Sequence, residues 1–437
     1  MATSKEFFNA LDNAKPINYS DLTERQLYVE NLRGDNDAAG LLAREVDFRE
    51  GQGVYLFTGQ IGSGKSTEMQ RLKSKLNDAG CSVFYSDLEQ WLNPEQPIEL
   101  GSFLLAVVAS WIEQTASLQG TRSPAQRIQE FLTRTKISLG SLTAGADFGV
   151  IKTNLQLALT QDTSVIEQVE QTLKANKTSF IAQVHDFVQS LVAEFPEGRK
   201  IVLLIDSLEK FRKEKTEAGK TYDSVLALFQ NTHALKLPLV HVVYSISYLV
   251  YEQNRQLPAQ LGGAFAVNLP SVHVFKHHST TPDPEGFEGM KTLLTKRFPA
   301  WTDFFDETQI QSVVEKTGGD LRDFMRVLQV AIISHRDNAT QRLVESDLEV
   351  AFNQIRPSLA IDAQHIAWMM RLESSHSAEL EGAIDFNVLN RYLTTKHVLA
   401  YLNGQTWYSL HPLIRQEVAA MNQRILDRAA GGAQAQL

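Results

Sequence analysis

The chain has 437 residues, of which 43% are hydrophobic and 21% charged, a globular composition long enough for roughly two to four domains. The 42 basic and 51 acidic residues give a net charge of −9, which argues against an overall cationic nucleic-acid binder but not against a local basic patch. The single cysteine, Cys81, excludes an intramolecular disulfide and any cysteine-based zinc site, and a lone thiol fits the reducing cytoplasm.

We expect neither a targeting segment nor a membrane span in this sequence. The first 16 residues lack the apolar core of a signal peptide. The longest apolar run, Leu100–Ile112, is shorter than the roughly 20 residues that a membrane span needs, so we interpret it as a buried helix. The expectation is therefore a soluble, cytoplasmic protein without membrane association.

Taken in chain order, a polar amino-terminal segment with helical spacing, residues 1–50, is followed by short apolar runs that alternate with helical patterns. Helices are predicted over Leu22–Leu32 and Ala38–Phe48. This alternation is typical of an α/β fold with a parallel sheet covered on both faces. The five predicted strands are Val54–Thr58, Ser82–Ser86, Ile201–Ile205, Leu239–Ile246 and Val272–Phe275.

A long insertion, at about residues 100–198, separates the second strand from the third. It is predicted to be mainly helical over Phe103–Leu118, Ser123–Thr133 and Thr163–Phe195. The stretch Ile137–Leu159 combines glycines with partial alternation, and either a hairpin or a flexible excursion fits it.

Beyond the core, which we place at 51–278, the glycine- and proline-containing stretch Ser279–Gly289 is predicted to be a linker. A helical lid subdomain is predicted over 279–358, and a winged-helix module over 359–428, from the order helix, helix, hairpin, helix. Asn403-Gly404 supplies the turn signal of that hairpin. The remainder, 429–437, is predicted to be a flexible tail.

The strongest motif lies between the first strand and the next helix and matches the P-loop pattern at every fixed position. Glycines there let backbone N–H groups surround phosphate oxygens, and the helix N-terminus adds partial positive charge. Lys65 is expected to reach the β- and γ-phosphates, and Ser66 to bind Mg²⁺. The residues of the motif are Gly59, Gln60, Ile61, Gly62, Ser63, Gly64, Lys65, Ser66 and Thr67.

Further polar residues follow the apolar strands. Asp206 ends the third strand, where a carboxylate can hold hydrated Mg²⁺, and Glu209 can orient or deprotonate the attacking water. The alternative is that Asp206 is only a helix N-cap. Ser245 and Ser247 end the fourth strand and can contact the γ-phosphate or the water, unless that strand merely runs out into a loop.

A fourth motif, Thr317-Gly318-Gly319-Asp320-Leu321-Arg322, joins two predicted helices. Arg322 lies in the first turn of the second helix, where the helix dipole disfavours a cation. A bound phosphate would offset this unfavourable interaction between the guanidinium and the helix dipole. The alternative interpretation is a solvent-exposed surface arginine.

These four motifs, in this order, resemble the AAA+ family and its sister group of STAND-type signalling ATPases. The segments 56–72, 203–210 and 317–328 are similar to a bacterial subgroup near the KAP and origin-recognition ATPases. The resemblance implies Walker A roles for Lys65 and Ser66, and Walker B roles for Asp206 and Glu209. It also implies a sensor 1 role for Ser247 or Ser245, and a sensor 2 role for Arg322. Two features depart from the family: sensor 1 is a serine, and Glu209 lies three residues after Asp206 rather than next to it.

Such families use an arginine finger from a neighbouring subunit, and Arg255 is the candidate by its place after the sensor strand. A solvated helix charge is the alternative interpretation of Arg255. The resemblance thus implies a homo-oligomer. The pair His277-His278 lacks the companion ligands of a zinc site.

The combined hypothesis is an ATP-binding and ATP-hydrolysing protein with Mg²⁺ as cofactor, acting as an oligomerising switch or assembly ATPase. The resemblance implies a separate effector protein and a role in antiphage defence. The alternative is an initiator-like protein whose winged helix binds DNA, although that module has few clustered cations: Arg391, Lys396, Arg415, Arg424 and Arg428. A small-molecule kinase explains neither the length nor the Thr317–Arg322 motif. The choice between ATP and GTP stays open.

Overall fold

The computed structural model describes residues 2–12, 16–35, 37–115, 122–137, 148–211, 213–215, 219–335, 342–377, 383–403 and 405–434. The chain divides into two compact units. The sheet unit comprises the described residues of Ala38–Thr58 and Lys65–Asn268. The terminal unit comprises those of Met1–Asp37, Gly59–Gly64 and Leu269–Leu437. The P-loop turn therefore groups with the terminal unit, while Lys65 and the helix that it begins group with the sheet unit.

Helices outnumber strands in the described residues. The helices are α1 Ser4–Ala10, α2 Leu22–Arg25, α3 Ala38–Phe48, α4 Lys65–Asp78, α5 Leu100–Gln114, α6 Pro124–Thr135, α7 Phe148–Gln161, α8 Thr163–Ala175, α9 Lys177–Val192, α10 Asp223–Phe229, α11 Thr232–Leu235, α12 Tyr248–Gln253, α13 Leu257–Leu261, α14 Pro284–Arg297, α15 Glu307–Thr317, α16 Leu321–Ser334, α17 Glu345–Ile355, α18 Ile366–Ser375, α19 Ala383–Thr394 and α20 Pro412–Gln434. The strands are β1 Leu32–Asp35, β2 Gly53–Gly59, β3 Ser82–Asp87, β4 Ile201–Asp206, β5 Lys213–Lys215, β6 Gly219–Thr221, β7 His241–Ser247, β8 Ala266–Leu269, β9 Val398–Asn403 and β10 Gln405–Leu410.

The sheet unit is built on a parallel five-stranded sheet with the strand order β3-β4-β7-β2-β8. Asp87 at the end of β3 pairs with Asp206 at the end of β4, and Tyr244 on β7 pairs with Ile205 on β4. Parallel strands bring their carboxyl ends to one edge of the sheet, where ligands of open α/β folds bind. The predicted fold class, an α/β fold with a parallel five-stranded sheet, is confirmed.

The central strands are buried along their whole length because helices cover both faces of the sheet. Every residue of β2, β4 and β7 is buried. Helix α5 is likewise buried from Leu100 to Ile112, as predicted for this apolar run. Across the described part of the chain, no helix combines the length and apolarity that crossing a membrane requires.

The fifth strand lies earlier in the chain than predicted. It is β8, Ala266–Leu269, whereas the predicted strand Val272–Phe275 contributes only an isolated bridge between Phe275 and Pro282. Val272 and Val274 are nevertheless buried. The apolar pattern of this segment therefore reflects burial against other elements rather than strand pairing.

The predicted helices of the insertion are present with shifted ends. The single helix predicted over Thr163–Phe195 is two helices, α8 and α9, because the Asn176 backbone leaves the helical region and its side chain caps α9 by accepting from the Ser179 N–H. Residues 148–161 form α7, so this part of Ile137–Leu159 is not a hairpin. Residues 138–147 lie outside the described residues.

In the terminal unit, the prediction of a linker over Ser279–Gly289 is wrong for its second half, because α14 begins at Pro284. Its glycines serve close packing instead. A Cβ atom on Gly286 would lie 2.2 Å from the carbonyl oxygen of His273, and one on Gly289 would lie 3.0 Å from Leu32 Cδ1. The segment predicted as helical up to Leu32 is also shorter, since α2 ends at Arg25 and β1 begins at Leu32.

The carboxyl-terminal module has the predicted order of helix, helix, hairpin, helix, in α18, α19, β9-β10 and α20. The hairpin is antiparallel, with Val398 opposite Leu410 and Asn403 opposite Gln405. Gly404, the predicted turn residue, lies outside the described residues. Trp407 and Tyr401 are fully buried and stack with their ring centroids 4.6 Å apart, which gives this module an aromatic core.

Candidate nucleotide-binding site

The P-loop turn has the backbone conformation that a phosphate cradle needs. Gly62 and Gly64 have φ angles of +86° and +93°, a region that residues with a Cβ rarely adopt. Helix α4 begins at Lys65, so its N-terminal N–H groups directly follow the turn. Ser63 is buried, and its Oγ has no hydrogen-bond partner among the described residues.

Lys65 and Glu209 form a buried ion pair in the sheet unit. The Lys65 Nζ lies 3.3 Å from Glu209 Oε1, and both side chains are less than a tenth exposed. The other carboxylate oxygen, Oε2, has no partner among the described residues. Burial raises the pKa of Glu209, Lys65 opposes that shift, and the charge of Asp206 adds to it. A carboxylate with a raised pKa and an open oxygen is suited to accept a proton from water.

Asp206 is fully buried at the end of β4, and both of its carboxylate oxygens accept hydrogen bonds. The Tyr85 hydroxyl donates to Oδ2 at 2.6 Å, and the Ser207 N–H donates to Oδ1 at 2.8 Å. Burial and the nearby Asp206 charge raise the pKa of Tyr85, so the phenol keeps its proton and remains a donor. The N-cap interpretation of Asp206 does not describe these contacts, because the 3-10 helix after it, Leu208–Lys210, has Ser207 in the capping position.

The donor chemistry in the sheet unit suits a hard divalent cation. Ser66 offers a hydroxyl in the first turn of α4, and Asp206 offers a carboxylate, the oxygen ligands that Mg²⁺ takes together with waters and phosphates. Glu209, which follows Asp206 by three residues, offers a further oxygen acceptor in Oε2, an atom without a partner among the described residues. These residues fit Mg²⁺, which would be held by Ser66 and Asp206.

The two serines of β7 differ in their side-chain bonding. Ser247 caps α12, because its Oγ accepts the Leu249 N–H at 3.3 Å. Ser245 is fully buried, and its Oγ has no partner among the described residues. Since Tyr244 pairs with Ile205, Ser245 follows at the level of Asp206 on the neighbouring strand. Of the two sensor candidates, Ser245 thus has the hydroxyl that is available to a ligand.

In the terminal unit, the Thr317–Arg322 motif is a tight junction between α15 and α16. Gly318 ends α15 in the left-handed conformation, and Gly319 also has a positive φ. A Cβ atom on Gly319 would lie 2.0 Å from the Val272 carbonyl oxygen, so only glycine fits there. Asp320 caps α16 by accepting the Asp323 N–H at 2.8 Å.

Arg322, the sensor 2 candidate, is exposed on the first turn of α16, and its Cβ would lie 3.7 Å from a Cβ atom on Gly62. Lys396, rather than Arg322, pairs with the carboxylates at the start of α16. Its Nζ lies 2.7 Å from Asp320 Oδ1 and 3.5 Å from Asp323 Oδ2. Burial would raise the pKa of Asp323, but His411 and Lys396 hold it low, at about 2.

The Gln60 side chain turns toward the carboxyl-terminal module. Its Nε2 donates to the carbonyl oxygens of Leu393 and Val398, at 3.2 and 2.8 Å. Its Oε1 accepts from the Ala400 N–H at 3.3 Å and from the Ser271 hydroxyl at 3.2 Å. The carboxamide is buried, so these bonds tie the P-loop turn to this module within the terminal unit.

Arg33 is a second brace of the P-loop turn. Its guanidinium donates to the carbonyl oxygens of Ser63 and, at 2.9 Å, Pro270. Sequence reasoning missed Arg33 because an isolated arginine on a short strand has no motif around it. It missed Tyr85 for a similar reason, since a tyrosine in an apolar strand is indistinguishable from a core residue.

Arg255 lies between α12 and α13, with 71% of its side chain exposed, and it pairs with Glu252 at 2.6 Å. An exposed position is what an arginine finger needs, since such a residue acts on a neighbouring subunit. The His277 and His278 rings stack with centroids 4.0 Å apart. In the described ranges, no three His, Cys, Asp or Glu residues are arranged to hold a metal ion.

Comparison with solved structures finds similar chains of low sequence identity. Cdc6p from Pyrobaculum aerophilum is 11% identical, with a TM-score of 0.41 over 96% of this chain and 98% of that one. The ORC2 protein of Aeropyrum pernix, in ADPNP–ADP complexes, is 13% identical, with a TM-score of 0.45 over 97% and 98%. The Walker-type ATPase PABY2304 of Pyrococcus abyssi is 14% identical, with a TM-score of 0.43 over 94% and 99%. No family model and no curated protein matches the sequence.

Proposed function

We propose that the chain is a Mg²⁺-dependent ATPase of AAA+/STAND type that binds ATP at Gly59–Thr67 and hydrolyses it with Glu209 as the base. The observation that carries this proposal is the buried Lys65–Glu209 pair, 3.3 Å apart, next to Asp206 at the carboxyl edge of the sheet. If the ion pair only stabilised the fold, there would be no reason for its lysine to follow a P-loop turn directly.

In this mechanism the glycine turn and the start of α4 bind the phosphates, and Lys65 contributes its positive charge to the β- and γ-phosphate oxygens. Mg²⁺ held by Ser66 and Asp206 would neutralise charge on the phosphate oxygens. Glu209 orients a water molecule through Oε2 and takes its proton as the water oxygen attacks the γ-phosphorus. The bond between the γ-phosphorus and the bridging oxygen of ADP breaks, and ADP and phosphate leave. Ser245 and Arg322 are the proposed sensors of the γ-phosphate.

The cellular role that we propose for this ATPase is that of an oligomerising switch or assembly ATPase. It would regulate a separate effector protein in antiphage defence. A contact with protein is favoured over DNA for the winged helix, because three of its few cations have intramolecular carboxylate partners. Arg391 lies 3.4 Å from Asp362, Arg415 lies 2.9 Å from Glu373, and Lys396 pairs with Asp320. The ORC1 protein of Aeropyrum pernix, 12% identical to this chain, has been solved in complex with DNA. Nucleic acid that co-purifies with the chain would support the DNA-binding alternative.

The test is phosphate release from ATP and GTP, measured over a range of protein concentrations with Mg²⁺ or with a chelator. We expect Mg²⁺-dependent release whose specific rate rises with protein concentration, because Arg255 completes the site of a neighbouring subunit. Mixing Arg255→Ala with Lys65→Ala protein should then restore part of the activity that each variant lacks. No release under any condition would overturn the ATPase proposal. Full activity of Arg255→Ala alone would remove the shared site and make Arg322 the candidate catalytic cation.

A further inference from the structure

Lys396 places a cation of the carboxyl-terminal module directly beside the P-loop turn. Its Nζ would lie 3.2 Å, and its Cε 3.5 Å, from a Cβ atom on Gly62. The ammonium therefore occupies the space that a side chain at position 62 would fill. This cation comes from a part of the chain far from Lys65, the lysine of the P-loop itself.

The position of Lys396 is a constrained one. Its φ is +62°, in the left-handed region that is strained for a residue with a Cβ. It follows α19 and precedes β9, whose backbone at Val398 and Ala400 bonds to the Gln60 carboxamide. The segment that carries the lysine is thus fixed to the same P-loop turn by a second, independent set of contacts.

The partners of the ammonium are the acidic residues that begin α16. Asp320 Oδ1, at 2.7 Å, also accepts the N–H of Asp323, so one oxygen serves both the cap and the lysine. Asp323 Oδ2 lies 3.5 Å from Nζ and 3.8 Å from the buried His411 Nε2. Only 12% of the lysine side chain is exposed. A cation with so little solvent needs anionic partners, and a lysine ammonium on a flexible stem can exchange one anion for another.

We propose, on the basis of the nucleotide binding proposed above, that Lys396 is a further phosphate-binding cation, contributed by the carboxyl-terminal module to the nucleotide at the P-loop. The amide groups of a P-loop surround phosphate oxygens, so a cation against Gly62 lies at the rim of that anion site. On binding, the ammonium transfers from Asp320 to a phosphate oxygen. Nucleotide occupancy thereby changes the ion pair between the module and α16.

The effect of substitutions on nucleotide affinity distinguishes a purely structural Lys396–Asp320 ion pair from one in which Lys396 exchanges Asp320 for phosphate. If Lys396 only joins the module to α16, removing either partner loosens the same contact, and both changes weaken nucleotide binding alike. If Asp320 competes with phosphate for the ammonium, removing its charge frees the lysine. Asp320→Asn should then tighten nucleotide binding, while Lys396→Met weakens it. Asparagine preserves the helix cap, and methionine preserves the unbranched apolar stem of the lysine.

The experiment measures dissociation constants of ATP and ADP by titration calorimetry, together with thermal melting without nucleotide, for the full chain and its variants. We expect Lys396→Met to bind both nucleotides about tenfold or more weakly, which is the scale of one charge-assisted hydrogen bond. Asp320→Asn should bind them more tightly than wild type. Lys396→Arg should regain part of the affinity. The matched control is Lys316→Met, which removes a lysine of the same unit that pairs with Glu349 at 2.7 Å, and it should bind as wild type does.

The double variant Lys396→Met/Asp320→Asn guards against a folding effect, because it removes the carboxylate that the single variant leaves without its lysine. Weak binding in a double variant that melts like wild type supports the phosphate role. Wild-type affinity in Lys396→Met, or equal weakening by Lys396→Met and Asp320→Asn, overturns it. Two other results would instead overturn the proposed nucleotide binding at the P-loop. They are wild-type protein that binds no nucleotide and Lys65→Ala protein that binds nucleotide as well as wild type does.

Discussion

The sheet unit and the terminal unit hold their candidate site residues in different ways. In the sheet unit, Lys65 begins a helix, and Asp206 and Glu209 lie at or just after the end of a buried strand. In the terminal unit, the P-loop turn is held by side chains from distant parts of the chain, such as the Gln60 bond to Val398 across 338 residues. The sheet unit has the groups that suit hydrolysis, whereas the terminal unit has the groups that brace the turn.

We expect the largest loss of turnover from Glu209→Gln, a substitution in the sheet unit. Glutamine keeps the size and hydrogen bonding of the side chain but cannot accept the proton of the attacking water. We expect ATP to remain bound while turnover falls on the order of 10²-fold or more, as for the loss of a general base. Phosphate release under single-turnover conditions measures this change.

The pH dependence of the wild-type rate is the control for that assignment. Burial raises the pKa of Glu209, so the carboxylate is protonated at a higher pH than an ordinary glutamate. A base acts only when deprotonated, and the rate should therefore fall as the pH is lowered through this raised pKa. Glu209→Gln protein should lack that limb of the profile. A residual rate with the wild-type pH profile would assign the base to another residue.

A smaller effect is expected from Tyr85→Phe, which removes the hydroxyl that donates to Asp206 at 2.6 Å. A hydrogen bond to a charged group contributes about 1.5–3 kcal/mol, so we expect Mg²⁺-dependent ATP affinity to weaken by roughly tenfold. Titration of Mg²⁺ at fixed ATP measures it. Tyr244→Phe is the matched control, since the Tyr244 hydroxyl is buried in the same sheet but donates to the Leu235 carbonyl oxygen. Equal effects of the two substitutions would make the Tyr85 contact one of general stability.

Much of the sheet unit could be predicted from the sequence because its signals are local. An apolar run that ends in glycines before a helical pattern predicts β2, the P-loop and α4, and all three are present. The run Ile201–Ile205 predicts β4 in the same way. The misplaced fifth strand has a physical cause: Val272–Phe275 is as apolar as a strand, but burial without strand pairing leaves the same pattern.

The terminal unit resists prediction because its important contacts join residues far apart in sequence. Lys396 is one of several cations in the carboxyl-terminal module, and nothing around it indicates that its ammonium lies beside Gly62. Gln60 occupies a variable position of the P-loop pattern, so the pattern does not predict what its side chain contacts. The carboxamide makes four hydrogen bonds, to Leu393, Val398, Ala400 and Ser271. Gly286 and Gly289 are typical of a linker in the sequence. Only the structure shows that Gly286 packs against the His273 backbone and Gly289 against Leu32.

Titration calorimetry with Mg²⁺-ATP shows whether the P-loop binds ATP through Lys65 and whether Glu209 acts only after binding. Wild-type, Lys65→Ala and Glu209→Gln proteins are compared under one condition. We expect wild-type and Glu209→Gln protein to bind ATP with similar affinity, and Lys65→Ala protein to lose most of it, because the cation that neutralises phosphate charge is gone. ATP binding by Lys65→Ala protein with wild-type affinity would contradict a phosphate-binding role for Lys65.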